Sequence, residues 1–320
     1  MSPGDRARYD DWLYEKTSRL KREDHTDRAR ARQKEELRET AQETLQFLRR
    51  ELKHRGTEDD AYKSTLCTMG TTRRLVPLAI PRFRDSAEIQ VYNADTLNVA
   101  IGLSQAAAKS GYDPEKHNTR PLIVNFANPN KPGGGWLNGQ LAQEEAICYR
   151  SSLALSLNDK FYPMRKDEAI YSPYVIIVRD DMESGHEIYK YRLPPISAVT
   201  VAALREPEVT TYELQSTVGK RTIHEKDVFT HDQDRDLTKA KMRLTLRMAH
   251  NNDHRWLVLG ALGCGVHKNP AEDIAHCWLE VLREDEFSGN RWAQIWFAVF
   301  DPKDEGNYDI FHKILNGQRV

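Results

Sequence analysis

Two adjacent glutamates, Glu144 and Glu145, stand where paired carboxyls could move a proton. They follow Gln143 at the start of a helical pattern continued by Ile147, Leu153 and Leu157, and only seven residues separate Gln143 from the run Gly133-Gly134-Gly135. Successive helical residues diverge by about 100°, so the two carboxyls cannot both meet one ligand atom squarely. One should contact substrate while the other orients it, as general acid–base chemistry requires. Acidic residues also suit a first helical turn because they complement the helix dipole, but that does not explain a triple glycine so close upstream.

The triple glycine closes a loop, Asn128-Pro129-Asn130-Lys131-Pro132-Gly133-Gly134-Gly135, that follows the apolar run Leu122-Ile123-Val124. Glycines let a backbone approach a ligand closely and turn successive N–H groups into one concavity, which suits a diphosphate. A second loop, Gly260-Ala261-Leu262-Gly263-Cys264-Gly265-Val266-His267-Lys268-Asn269-Pro270, follows Trp256-Leu257-Val258-Leu259 and leads into a helix. Its amides and that helix N-terminus favour negative charge. In an open α/β sheet ligands sit outside the carboxyl ends of strands, so the two loops are expected to form opposite walls of one crevice, with a diphosphate-linked nucleotide as guest. Gly133, Gly134, Gly135, Gly263, Cys264, Gly265, Val266 and His267 are the candidate contacts. Asn125 and Asn128 are candidates for ribose hydroxyls or for closing the turn. Neither loop matches the P-loop or the G-x-G-x-x-G dinucleotide fingerprint, which disfavours an ATPase or a dehydrogenase. Cys264, His267, His276 and Cys277 superficially offer zinc ligands, but adjacent His276 and Cys277 diverge on a predicted helix and the spacing fits no usual zinc module. No metal and no other cofactor is expected.

Positioning these loops calls for alternating short β-rich runs and longer helical patterns. Strands are predicted at 89–92, 122–127, 174–178, 198–202, 256–260 and 295–300, and helices at 96–108, 144–158, 237–249, 271–282 and 308–315. The alternation argues for a three-layer α/β domain on a mostly parallel or mixed sheet. Upstream, Leu37, Ala41, Leu45, Leu48 and Leu52 recur at helical spacing, making one apolar stripe that should dock on the main domain. The stretch 9–33, with Trp12, Leu13 and Leu20 as its few apolar anchors, is predicted to be a lone helix or partly disordered. Gly56 should stop the docking helix, with 57–60 as linker, and 206–236 reads as a polar, irregular surface insertion. This divides the chain into a helical extension, 1–60, and a catalytic domain, 61–320.

Composition narrows the partners. With 30% charged residues and a formal net charge of -1, no bulk field draws a polyanion to the surface, so an anionic ligand needs a local site and sequence-specific nucleic-acid binding is not expected. The four cysteines form no CxxC pair, which fits reduced thiols inside a cell. No apolar run approaches the roughly 18 residues that span a bilayer. An intracellular protein, cytoplasmic or nuclear, is expected.

The string Pro132-Gly133-Gly134-Gly135-Trp136-Leu137-Asn138-Gly139, then Ala142-Gln143-Glu144-Glu145 and Tyr149-Arg150-Ser151-Ser152-Leu153, resembles the microbial-type branch of the poly(ADP-ribose) glycohydrolases. Weaker matches follow in the family's order at Asp95-Thr96-Leu97, Tyr171-Ser172-Pro173, Arg179-Asp180-Asp181 and from Leu259 to Asn269-Pro270, so the resemblance runs from about Ala41 to the C-terminus. It implies a macrodomain, a three-layer α/β/α fold with a mixed central sheet and an N-terminal helical extension, without a catalytic metal. It further implies hydrolysis of the ribose–ribose bonds of poly(ADP-ribose), with that polymer and ADP-ribosylated proteins as partners and ADP-ribose as product. Glu145 would act as general acid and then base, while Glu144 would hold a ribose hydroxyl and keep the Glu145 pKa raised, with Gln143 supporting the geometry. Tyr149 and Arg150 are left as structural. His267 departs from the family pattern, which has an aromatic Phe there. Two other readings are a hydrolase of single protein-linked ADP-ribose units and a macrodomain that binds ADP-ribose without cleaving it.

Overall fold

The continuously apolar runs become β3 (Leu122–Phe126) and β8 (Trp256–Gly260), hydrogen-bonded neighbours at the middle of a seven-stranded sheet. The computed structural model describes residues 27–214 and 224–320. With β1 (Thr65–Thr68), β2 (Ile89–Tyr92), β4 (Glu168–Val175), β5 (Ile196–Val201) and β9 (Gln294–Ala298), the sheet order is β1-β4-β5-β3-β8-β9-β2. From β5 to β2 all neighbours are parallel, and β4 and β1 extend the sheet antiparallel, so it is mixed.

Alternate strand residues feed two cores. Leu122, Val124, Leu257 and Leu259 face one core, shared with α6 (Asp232–Asn251), α7 (Ala271–Leu282) and α8 (Asn307–Leu315); Ile123, Trp256 and Val258 face the other, shared with α3 (Thr96–Lys109), α4 (Gln143–Arg150) and α5 (Leu153–Ser156). Strands buried on both faces need such unbroken apolar runs. The result is the expected three-layer α/β/α arrangement. α3 starts where Asp95 accepts the N–H groups of Leu97 and Asn98 at 2.8 and 3.3 Å, an N-cap. α6 lays Arg235, Lys239, Arg243 and Arg247, four residues apart, against Asp273, Glu280, Glu284 and Glu286 along α7 and its exit.

Several local expectations change. The helix predicted at 144–158 breaks at Ser151, which is extended (φ -147°, ψ 174°); Ser152 N–H bonds the Ile176 carbonyl, and its hydroxyl accepts Ile176 N–H, each at 3.0 Å. The strand predicted at 174–178 instead begins at Glu168 and leaves the ladder after Val175, because residues 176–178 pair with that helix break. The supposed linker at 57–60 contributes to a short helix, α2 (Glu58–Tyr62), anchored by buried Ala61. The insertion is not irregular where it is described: β6 (Val209–Leu214) pairs antiparallel with β7 (His224–Phe229). The N-terminal helix α1 spans Asp27–Arg55, longer than its apolar stripe, and ends at Gly56 with φ 67°. Of the charged stretch 9–33, residues 9–26 lie outside the described residues. Among the described residues no helix is long and apolar enough to cross a membrane.

Trp278 of α7, 1% exposed, donates its indole N–H to the Gly260 carbonyl at 3.0 Å and so anchors the point where β8 becomes the second glycine loop. Trp278→Phe removes that bond and leaves a small void, costing roughly 2–3 kcal/mol of unfolding free energy. Urea denaturation of both proteins checks this, and a loss below ~0.5 kcal/mol would show that the anchor is dispensable.

Candidate active site

β3 delivers the first loop and α4 delivers the glutamates, and the side chain of Gln143 joins them. Its Oε1 accepts the Phe126 N–H at 2.7 Å while its Nε2 donates to the Val124 carbonyl at 2.8 Å and to Thr96 Oγ1 at 3.1 Å. The side-chain amide thus mimics a strand partner for the end of β3 and ties it to the first turn of α3.

Glu144 is 2% exposed, with both carboxylate oxygens engaged: Oε1 accepts from Asn125 Nδ2 at 3.1 Å and Oε2 from the Asn128 N–H at 2.7 Å. Asn125, expected at a ribose hydroxyl, has no exposed surface; its amide also donates to Thr200 Oγ1 at 3.2 Å, on the neighbouring strand β5. Its place at the penultimate position of a central strand turns it inward, so it braces the glutamate. Asn128 does close its turn, its Oδ1 accepting the Asn130 N–H at 2.9 Å.

Glu145, 7% exposed, accepts the Gly135 N–H on Oε1 at 2.9 Å. The triple glycine is needed because side chains on it would strike its neighbours. Gly133 and Gly134 have φ of 67° and 60°, the left-handed region. A Cβ on Gly134 would lie 2.3 Å from Glu145 Oε1, and one on Gly133 would lie 2.8 Å from the Trp136 ring. The loop was expected to turn its amides to a diphosphate; here the Gly135 and Asn128 amides bond the glutamates, and the Gly134 N–H bonds the Lys131 carbonyl at 3.0 Å.

The second loop differs. Gly263, with φ 77°, sits where a Cβ would come within 2.5 Å of the Asn269 side chain and 2.7 Å of Ala203. Asn269 holds the loop shut from inside, donating to the Leu204, Gly263 and His267 carbonyls at 2.8, 3.2 and 3.2 Å. Cys264 is partly buried, its thiol pushed up by burial, while Gly265 and Val266 stand exposed at the tip. Among the described residues no protein acceptor takes the amides of Gly265, Val266 or His267. His267 is half-buried, and burial lowers its pKa, with Arg205 adding to the shift and Glu206 opposing it. Because β3 and β8 are adjacent and parallel, both loops leave the same edge of the sheet. A Cβ on Gly260 would touch the Phe126 ring at 3.0 Å.

Behind the glutamates, fully buried Arg150 pairs with Asp95 and donates to Asn98 Oδ1 at 2.8 Å and to the Arg179 carbonyl at 3.2 Å. The Tyr149 hydroxyl lies 2.7 Å from the carbonyls of both Trp136 and Gln140. These contacts join parts of the chain far apart in sequence, and no spacing rule could have found them. Among the described residues no three His, Cys, Asp or Glu side chains converge on a point that could hold a metal ion. A cleft of about 530 Å³ between Arg74, Arg243, Arg247 and Arg283 lies apart from the glutamates, and Glu284 and Glu286 pair with the first three of these arginines.

The family model for the microbial-type PARG catalytic domain matches residues 13–180, more than half of the chain and the whole of the triple-glycine and glutamate segment. The chain belongs to this family. PARGs are glycoside hydrolases that act on poly(ADP-ribose). The fold is similar to that of the poly(ADP-ribose) glycohydrolase of Thermomonospora curvata, at 24% identity and a TM-score of 0.69 over 87% of this chain and 99% of that one. The same protein bound to the inhibitor ADP-HPD matches at 23% identity and a TM-score of 0.66, over 87% of this chain and 99% of that one. The Deinococcus radiodurans poly(ADP-ribose) glycohydrolase in complex with ADP-ribose matches at 22% identity and a TM-score of 0.59, over 81% of this chain and 97% of that one. Among curated protein sequences none matches this chain.

In this PARG-family site Glu144 is held well above the usual carboxylate range. Burial pushes it from the ordinary 4.5 to about 8, the Asn128 and Asn125 hydrogen bonds oppose this, and the Glu145 charge adds to it. The folded protein therefore keeps a proton on Glu144 that the unfolded chain releases between about pH 4.5 and 8. Stability must fall as pH rises through that window. Glu144→Gln removes the titration, so its melting temperature should gain on wild type steadily from pH 5 to pH 8. Parallel melting curves across that range would contradict the shift.

Proposed function

We propose that this chain hydrolyses the ribose–ribose O-glycosidic bonds of poly(ADP-ribose) and releases ADP-ribose, with Glu145 as general acid and then general base. The observation that carries the assignment is the unequal engagement of the two carboxyls. Protein donors meet both oxygens of Glu144, whereas the bond from Gly135 uses only Oε1 of Glu145. Oε2 of Glu145 is then the oxygen left to face a substrate.

Carboxyls this close resist ionising together, so the pair retains a proton near neutrality. That proton, which rests on Glu144, passes to Glu145 and from it to the departing ribose 2′-oxygen as the C1–O bond breaks, leaving an oxocarbenium-like centre that the resulting carboxylate stabilises. Water then adds to C1, and Glu145 takes back a proton from it, which restores the acid. Asn125 and Asn128 hold Glu144 in place beside it. The diphosphate lies against the amides of Gly265, Val266 and His267, which no acceptor among the described residues takes. Held there, the scissile bond stays within reach of the acid, an orientation effect that can be large. The His267 ring stacks on the ligand. Because burial lowers its pKa, it does so as the neutral imidazole at neutral pH.

Glu145→Gln should cut polymer turnover by a factor of hundreds or more, since a general acid is worth about 10²–10⁴-fold. ADP-ribose affinity by calorimetry should stay nearly constant. A variant that keeps a third of wild-type turnover would refute the assignment. Parallel digestion of a mono-ADP-ribosylated protein separates the alternatives, because a hydrolase of single units would release ADP-ribose from it and leave polymer intact, and a binding module would cleave neither.

A further inference from the structure

α4 has eight residues and carries both glutamates in its first turn, so its last carbonyls need partners from elsewhere. The Arg150 carbonyl receives the Val178 N–H at 2.9 Å. The Tyr149 carbonyl receives the hydroxyl of Thr44, at 2.8 Å, from the middle of α1. Thr44 has no exposed surface, although it lies on the same helix stripe as Leu37, Ala41 and Leu48. Its Oγ1 also accepts from Arg179 Nε at 3.1 Å, and the same guanidinium holds Glu43, again on α1, at 3.1 Å. A residue that only filled this space would be served as well by valine.

α1 also touches the glycine loop. Leu37 and Ala41 cluster with Trp136, Cys148 and Tyr149. A Cβ on Gly139, whose φ is 73°, would lie 2.1 Å from the Lys34 carbonyl oxygen. Tyr149 connects the two contacts: its carbonyl is bound by Thr44, and its hydroxyl meets the Trp136 and Gln140 carbonyls just beyond the triple glycine. The loop supplies the N–H and α4 supplies the carboxyl of the Gly135–Glu145 bond, and α1 is fastened to both.

We propose that Thr44 is a positioning residue: by bonding the Tyr149 carbonyl it holds α4 in register with the triple-glycine loop, which makes the N-terminal helix part of what sets Glu145 in place. The inference rests on Glu145 acting as the acid, so its test includes a readout that needs no substrate. In full-length Thr44→Val and Thr44→Ser proteins, hydrogen exchange is followed at the Gly135 amide without ligand, with β8 amides as the internal reference. Polymer kcat and KM are then measured. The valine variant should speed Gly135 exchange about ten-fold or more relative to β8 and lower kcat by a similar factor, with KM within about two-fold, as a misplaced catalytic group does. Serine, which keeps the hydroxyl, should restore both. If wild type leaves polymer intact, the proposed function fails and the exchange result alone decides the role of Thr44. Should Thr44→Val not fold, Gly139→Ala, which pushes α1 away from the loop side, must produce the same exchange at Gly135. Unchanged Gly135 exchange, or a kcat loss that serine does not recover, overturns the proposal.

Discussion

The structure depends on keeping two carboxyls side by side in a buried place. An ionised carboxylate loses hydration there and like charges repel, so the arrangement survives because Glu144 keeps a proton to about pH 8 and protein donors replace water. The replacements are backbone amides of Gly135 and Asn128 and the amide of Asn125. Much of the local sequence follows from this. The loop must come close enough to bond a carboxylate, so glycine is required at 134. The strand beneath must carry a polar residue in its core, so Asn125 and Thr200 face each other in register. Gln143 must bind the end of β3 so that the helix starts in the right place.

The two glycine loops therefore divide the work. The first is internal, directing its N–H groups at the protein's own acids. The second is shut from within by Asn269 and keeps the amides at its tip free of protein partners among the described residues. A chain with a formal net charge of -1 has no general attraction for a polyanion. On the proposed reading, recognition of a diphosphate falls to backbone dipoles at the carboxyl edge of parallel strands, where a fold of this kind presents its loops.

Much of this was legible in the sequence, for identifiable reasons. Apolar runs such as 256–259 have no stable place except a strand covered on both faces. The Gln-Glu-Glu segment after three glycines pointed to the acids. What stayed hidden depends on contacts between distant segments. The helix break at Ser151-Ser152 exists because residues 176–178 pair there, and local propensity does not register that competition. The hairpin of β6 and β7 has no apolar alternation strong enough to announce it. Asn125 looks like a surface residue by type, and only the strand register turns it inward. How far the Glu144 pKa rises is set by its burial in the packed fold. Thr44 is one hydroxyl in a helical stripe of apolar residues.

The central claim is that the acids are already held by the loop backbone before any ligand binds. The most direct measurement is an amide nuclear magnetic resonance titration of the ligand-free protein, following Asn128, whose N–H is bonded to Glu144 at 2.7 Å. The account predicts that the Asn128 amide proton shift titrates with a midpoint near the Glu144 value of about 8 and that this titration is absent in Glu144→Gln. An Asn128 amide that shows no titration above pH 6, or one that titrates identically in the glutamine variant, would contradict it.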